Sequence, residues 1–126
     1  MEIRTSYFAQ LKKICGMKGA VPVAVCRYPP AWYNGEVYKK IAPDYSMMTG
    51  MKNADTREYF KSKYLKEVLG RLETGSVEKD IAAIVERNGG AFAVLLCFEK
   101  PADFCHRHLV AEWLGRNSDE AELKWW

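Results

Sequence analysis

The sequence lacks the segments that mark membrane or exported proteins. Its longest apolar run, Ala91 to Phe98, has eight residues, whereas a helix that crosses a bilayer needs about 20. The opening residues carry no apolar stretch typical of a secretory signal. We therefore expect a cytoplasmic protein without membrane association.

Several motifs that would name a chemistry are also missing. There is no Gly-Lys-Ser/Thr for a phosphate-binding loop, no three-glycine dinucleotide fingerprint, no His-Glu-x-x-His and no Gly-x-Ser-x-Gly. No pair of cysteines has Cys-x-x-Cys spacing, and no Cys/His set matches a zinc finger. We expect no metal and no cofactor, and we expect reduced thiols in a cytoplasm at Cys15, Cys26, Cys97 and Cys105.

What remains is an ordinary globular composition. The chain has 126 residues, 48% of them apolar and 28% charged, which suits one domain over residues 1–126. Two apolar runs, Val21–Cys26 and Ala91–Cys97, predict strands, and the second is apolar throughout, as in a strand covered on both faces. The pattern predicts a single α/β domain with a small, mostly parallel sheet flanked by helices.

Helical spacing of apolar residues and capping signals predict the remaining elements. The sequence predicts a short strand at residues 3–5, a helix capped by Ser6, a helix capped by Asp55, and a helix that is capped by Ser76 and ends at Gly89-Gly90. It also predicts a helix over about residues 103–114 and an edge strand in the tail from Leu123 to Trp126.

Residues 27–51 form an irregular stretch with many aromatic side chains. Turn signals such as Pro29-Pro30 and Asn34-Gly35 interrupt it. Long loops in compact domains usually cover a ligand or carry function, although a plain structural lid is the alternative. We expect Tyr28 and Trp32 in this loop to contact a ligand.

The most informative segment runs from Leu95 to Arg107, a buried strand followed by a turn and the start of a helix. Ligands of open α/β sheets bind outside the carboxyl ends of the strands. We expect Glu99, Cys105 and His106 to be the candidate catalytic residues there, Glu99 as an acid or base and Cys105 as a thiol with a lowered pKa at a helix N-terminus. Arg107 and Arg27 are the candidate anion-binding residues, because a planar guanidinium holds two oxygens at once.

Each of these residues also has a structural interpretation. Cys97 suits a core position, His106 a buried hydrogen bond, and Arg107 an ion pair with Glu99. A zinc site from Cys97, Cys105 and His106 has too few ligands at suitable spacing. We expect His108, four residues before Glu112, to form an exposed helix pair and not to belong to the site.

The same segment resembles the family of proteins with domain of unknown function 488 (DUF488). That family carries a Leu-Leu-Cys-x-Glu stretch and a later Cys-His-Arg, which stand here as Leu95 to Glu99 and Cys105 to Arg107. Weaker matches are Val25 to Pro30 and Ala42-Pro43 with the Tyr-rich helix after it. In many members the strand that corresponds to Val21–Cys26 carries Asp-Val-Arg, but this chain has Val25-Cys26-Arg27 there. The resemblance implies a small bacterial-type cytoplasmic α/β protein and no established activity, so we leave open whether the chain is an enzyme.

Charge is unevenly distributed along the chain. Residues 1–71 have a net charge of +7 and residues 72–126 a net charge of −4. A basic half suits a polyanion or an anionic small molecule, and a solvated helix face is the alternative.

Four hypotheses follow. The first is a binding site for a phosphate-bearing molecule, either a nucleotide or the end of a nucleic acid. The second is a non-catalytic nucleic-acid-binding module that uses the helix around Arg57 to Lys66. The third is a thiol redox sensor in which Cys105 pairs with Cys97 or Cys26, and the fourth is an accessory domain whose motif is an internal ion-pair network. The sequence leaves the oligomeric state open.

Overall fold

The computed structural model describes residues 1–43, 54–98 and 106–124, with side chains in the second range from residue 58 onward. Four strands form one parallel sheet in the order β1-β4-β2-β3. The strands are β1 (Ile3–Tyr7), β2 (Ala20–Ala24), β3 (Glu36–Val37) and β4 (Phe92–Cys97). The predicted α/β class with a parallel sheet is confirmed.

Five α-helices of the described residues flank this sheet. They are α1 (Leu11–Cys15), α2 (Ala54–Glu67), α3 (Thr74–Arg87), α4 (His106–Trp113) and α5 (Ser118–Ala121). Short 3-10 turns lie at Phe8–Gln10, Lys39–Ile41 and Leu69–Arg71. None of the helices in the described ranges has the length and apolar character needed to span a bilayer.

The central strand β4 explains why the sheet has two cores. Alternate side chains of a strand point to opposite faces. Ala93 and Leu95 therefore pack with α2, α3 and α4 on one face, whereas Val94 and Leu96 pack with Phe8 and Ile14 on the other. All four of these β4 side chains are buried, which confirms a strand covered on both sides.

One predicted helix start is wrong because tertiary pairing outweighs the local signal. Ser6 does not cap a helix but continues β1, where it pairs with Leu96 of β4. The helix follows only after the 3-10 turn at Phe8–Gln10. The helices predicted to be capped by Asp55 and Ser76 begin at Ala54 and Thr74 instead.

The two ends of the described chain meet at the outer edge of β1. The predicted strand in the tail is reduced to one parallel bridge, between Thr5 and Glu122, and Trp125 and Trp126 lie outside the described residues. This bridge matters for the site because it brings Glu122 next to the start of α4.

Candidate functional site

All four strands run in the same direction, so their carboxyl ends meet at one edge of the sheet. Phe8 follows β1, Phe98 follows β4, and Val25 to Arg27 follow β2. Backbone pairing continues past the last residue of β2, since Val25 N–H donates to Leu96 O at 3.0 Å. This edge is the place where ligands of open α/β sheets bind.

An aromatic cluster of Phe8, Trp32, Tyr33 and Phe98 lies at this edge. The Phe8 ring is buried, and its centroid is 4.9 Å from that of Phe98 and 6.3 Å from that of Trp32. Trp32 is 59% exposed and Phe98 is 50% exposed. The cluster therefore presents aromatic surface to solvent at the carboxyl end of the sheet.

Tyr33 fixes the loop that carries Trp32. Its hydroxyl donates to Glu36 O at 2.7 Å, and its ring packs edge-on against Phe8. A Cβ at position 35 would collide with the Tyr33 ring, so Gly35 permits this close approach. These contacts of Tyr33 join the loop to Phe8 and to Glu36, and they fix the neighbouring Trp32 with it.

Of the predicted ligand-contacting residues in the loop, Tyr28 and Trp32 are exposed. Arg27 is half-buried directly after β2, whereas Tyr28 is exposed. Their roles stay predictions. Phe8 and Phe98 were missed because Phe8 was assigned to a helix and Phe98 closes an apolar strand.

His106 begins α4 and is buried. Its Nε2 donates to Val25 O at 2.7 Å, and its ring packs edge-on against Tyr64 of α2 at 5.7 Å. Burial lowers the pKa of His106 to about 4. The nearby charges of Arg107 and His108 also lower this pKa, whereas the hydrogen bond to Val25 raises it. The imidazole is therefore neutral at pH 7, with its proton on Nε2, and it links the start of α4 to the end of β2.

Arg107 lies on the opposite side of this helix start in a buried ion pair. Nε and Nη2 donate to the two carboxylate oxygens of Glu122 at 3.0 and 2.8 Å. Arg107 is 0% exposed, and its guanidinium lies 5.9 Å from the centre of the Tyr7 ring. The bidentate geometry gives the strongest form of charge-assisted pairing.

Glu122 collects three donors. Besides Arg107, Thr5 Oγ1 donates to it at 2.6 Å and His108 Nε2 lies 3.2 Å away. Burial alone would raise the pKa of Glu122, but the hydrogen bonds from His108, Arg107 and Thr5 together with the Arg107 charge lower it to about 2. We call Thr5, Arg107, His108 and Glu122 the buried network.

The buried network bears on two sequence interpretations. Arg107 was expected either to clamp a ligand or to pair with Glu99, which lies outside the described residues; among the described residues it forms an ion pair with Glu122. His108 was expected to pair with Glu112, but it contacts Glu122, whereas Glu112 accepts from Ser118. No local signal indicates Glu122, because its partners are distant in sequence.

The cysteines do not all match the expectation of reduced thiols. Cys97 is disulfide-bonded, and Arg107 Nη1 donates to its sulfur at 2.8 Å. Cys15 and Cys26 take part in no disulfide. The predicted reduced state is therefore wrong at Cys97.

Two predicted catalytic residues, Glu99 and Cys105, lie outside the described residues. His106 contacts Val25, which lies two residues before Arg27 at the end of β2. Arg107 contacts Glu122. Over residues 1–43, 54–98 and 106–124, no group of three His, Cys, Asp or Glu side chains is placed to hold a metal ion.

A comparison with protein families adds to this geometry. The family model described as the active DUF488-N3 subclade matches residues 7–118. The chain belongs to the DUF488 family. The resemblance seen in Leu95 to Glu99 and Cys105 to Arg107 is thereby confirmed. The match includes the carboxyl ends of all four strands, and it leaves out the first four residues of β1 and residues 119–126. Comparisons with curated proteins and with solved structures gave no match.

Proposed function

We propose that this DUF488 protein binds a phosphate-bearing nucleotide at the carboxyl end of its sheet. The observation that carries the proposal is the exposed Trp32 ring, which packs edge-on against the buried Phe8 ring at this edge. A solvent-exposed tryptophan on a rigid support is suited to stacking a flat ligand.

The aromatic cluster suits the base of the nucleotide. Stacking of a base on an aromatic side chain contributes about 1–3 kcal/mol and tolerates any base, since every base has a π-face. Trp32 and Phe98 contribute exposed rings that both contact Phe8. Tyr28, also exposed, lies in the same loop and is the third candidate for ligand contact.

Arg27 is the side chain we assign to the phosphate. Arg27 is half-buried and follows the end of β2 at the edge where ligands of such sheets bind. Its planar guanidinium can donate to two phosphate oxygens at once. Arg107 is less suited to this task, because its Nε and Nη2 donate to Glu122 and its Nη1 to Cys97. Of the two arginines that the sequence indicated, we therefore assign only Arg27 to the phosphate.

An enzymatic role is the finer form of this proposal. His106 would take part as a neutral group, since its pKa lies well below 7. Glu99 and Cys105 remain the other candidate catalytic residues from the sequence.

The thiol redox alternative is favoured by one observation, the disulfide at Cys97. Cys105 is the sequence-predicted partner. The disulfide also bears on the predicted cytoplasmic location, because disulfides are rare where cellular thiols are kept reduced. Cytoplasmic location stays a prediction, as does the bacterial-type origin.

Thermal melts with nucleotides, sugar phosphates and divalent metals at low salt test the proposal. A nucleotide present at 100 times its Kd adds about 2.7 kcal/mol, which raises Tm by several degrees. We expect such a shift with at least one nucleotide, its loss in Arg27→Ala and Trp32→Ala, and its retention in Arg71→Ala, which removes an exposed arginine elsewhere.

Two outcomes would contradict the nucleotide site. One is the absence of a Tm shift with every nucleotide, and the other is an equal loss of the Tm shift in Arg27→Ala and Arg71→Ala.

Each melt is repeated with dithiothreitol. A Tm that depends on reduction but on no member of the panel would favour the thiol redox alternative.

A further inference from the structure

We propose that the outer face of α2 binds single-stranded nucleic acid. This surface is separate from the nucleotide site at the sheet edge. It consists of Tyr59, Ser62, Lys63, Lys66 and Glu67, which line one groove of about 280 Å³. We call it the α2 groove.

The groove results from the way in which α2 packs. Phe60 and Tyr64, four residues apart, are buried against the core, and the Tyr64 hydroxyl donates to Ile41 O at 2.6 Å. Residues 59, 63 and 66 share the neighbouring helical face, because positions three and four apart lie one above another. The inner face thus accounts for the stability of α2, and the outer aromatic ring has no part in it.

Tyr59 is the feature that distinguishes this face from an ordinary solvated helix. It is 68% exposed, and Lys63 Nζ lies 5.7 Å from its ring centre. A stacking ring next to an ammonium group offers a single strand a platform for a base and a partner for the adjacent phosphate. A duplex, whose bases are stacked inside, cannot use the ring in this way.

Charge supports the same ligand. Lys63 and Lys66 provide two cations on the groove, against one carboxylate from Glu67, and the half of the chain that contains α2 has a net charge of +7. The distance from Tyr59 to Lys66 along the helix is about 10 Å. A short stretch of single strand can follow the groove over that length.

Fluorescence anisotropy with labelled oligo-dT and oligo-U at low salt tests this proposal. The Lys63→Ala/Lys66→Ala double variant is expected to weaken binding about tenfold or more, and to reduce the slope of log K against log salt by about 1.4, the value for two lost phosphate contacts on a single strand. Tyr59→Ala is expected to weaken binding about tenfold, while Tyr59→Phe keeps the affinity.

The matched control is the Lys18→Ala/Lys79→Ala double variant. It removes two exposed lysines elsewhere and changes the net charge by the same amount. If it weakens binding as much as the groove variant does, the interaction is a general effect of charge and the proposal is wrong. No binding by the wild-type protein, or equal affinity of Tyr59→Ala and wild type, would also overturn it. Oligo-dT and oligo-U together decide whether DNA or RNA is preferred.

Discussion

Replacement of Glu122 by alanine is expected to lower the free energy of unfolding by about 3–5 kcal/mol, the cost of removing one partner from a buried ion pair. Arg107 has no exposed surface and would keep its charge after losing the two carboxylate oxygens that it contacts. Thr5 would lose its acceptor as well. Urea unfolding at pH 7 measures the effect.

The control is a surface pair from the same part of the chain. Lys124 and Asp119 are 3.3 Å apart, with the Asp119 side chain 91% exposed, and such pairs contribute about 0–1 kcal/mol. Asp119→Ala should therefore be nearly neutral. If Glu122→Ala costs no more than Asp119→Ala, the buried network is not what holds the C-terminal tail to β1.

A double variant separates loss of the pair from loss of packing. Replacing both partners of a buried ion pair with apolar residues of similar volume is often neutral or stabilising. We expect Arg107→Met/Glu122→Leu to recover most of the stability that Glu122→Ala loses. A loss of ligand binding in Arg107→Ala alone is therefore no evidence that Arg107 contacts the ligand.

The second large effect is a loss of stability in acid, in two steps. Burial lowers the pKa of His106 from 6.5 to about 4, so the unfolded chain takes up a proton at a higher pH than the folded one. The contribution of neutral His106 to the free energy of unfolding is complete above pH 6.5, and it falls as the pH drops towards 4. A shift of this size corresponds to about 3 kcal/mol.

Glu122 adds a step at lower pH. Burial opposes ionisation of Glu122, but its hydrogen bonds and the Arg107 charge lower its pKa from 4.5 to about 2. The stability from this carboxylate is present above pH 4.5 and falls as the pH drops towards 2, again by about 3 kcal/mol. The two windows adjoin near pH 4, so the whole descent extends from about pH 6.5 to pH 2.

Urea unfolding between pH 7 and pH 2 measures both steps. His106→Gln keeps a side-chain N–H that can donate to Val25 O but has no group that titrates, so this variant should show a flatter profile between pH 6.5 and 4 and an unchanged fall below it. A wild-type protein equally stable at pH 7 and pH 4 would contradict the buried, neutral state of His106.

The sequence predicted the parts of the fold that depend on local pattern. The apolar run at Ala91–Cys97 became the central strand, and Gly89, with φ +64°, follows α3 as the predicted stop. β3 was missed because two residues, Glu36–Val37, are too few for a pattern. Ser6 was assigned to a helix because pairing with β4 cannot be read from its neighbours.

The site was predictable in position and less so in its contacts. The motif and the rule for parallel sheets led to the edge where Val25 meets His106. The partner of Arg107 was not predictable, since Glu122 is 15 residues away and Thr5, which completes the network, is 117 residues from Glu122. Such pairs depend on how the two chain ends pack, and a single sequence carries no pattern for that.

The most direct test of the proposed site is a ¹H–¹⁵N NMR titration of the protein with nucleoside monophosphates. Trp32→Phe assigns the indole N–H of Trp32 among those of the four tryptophans. We expect the Trp32 indole and the amides of Arg27 and Phe98 to shift together and to saturate, with the α5 amides unchanged. Saturable shifts confined to residues far from the sheet edge, or none at millimolar nucleotide, would contradict a nucleotide site there.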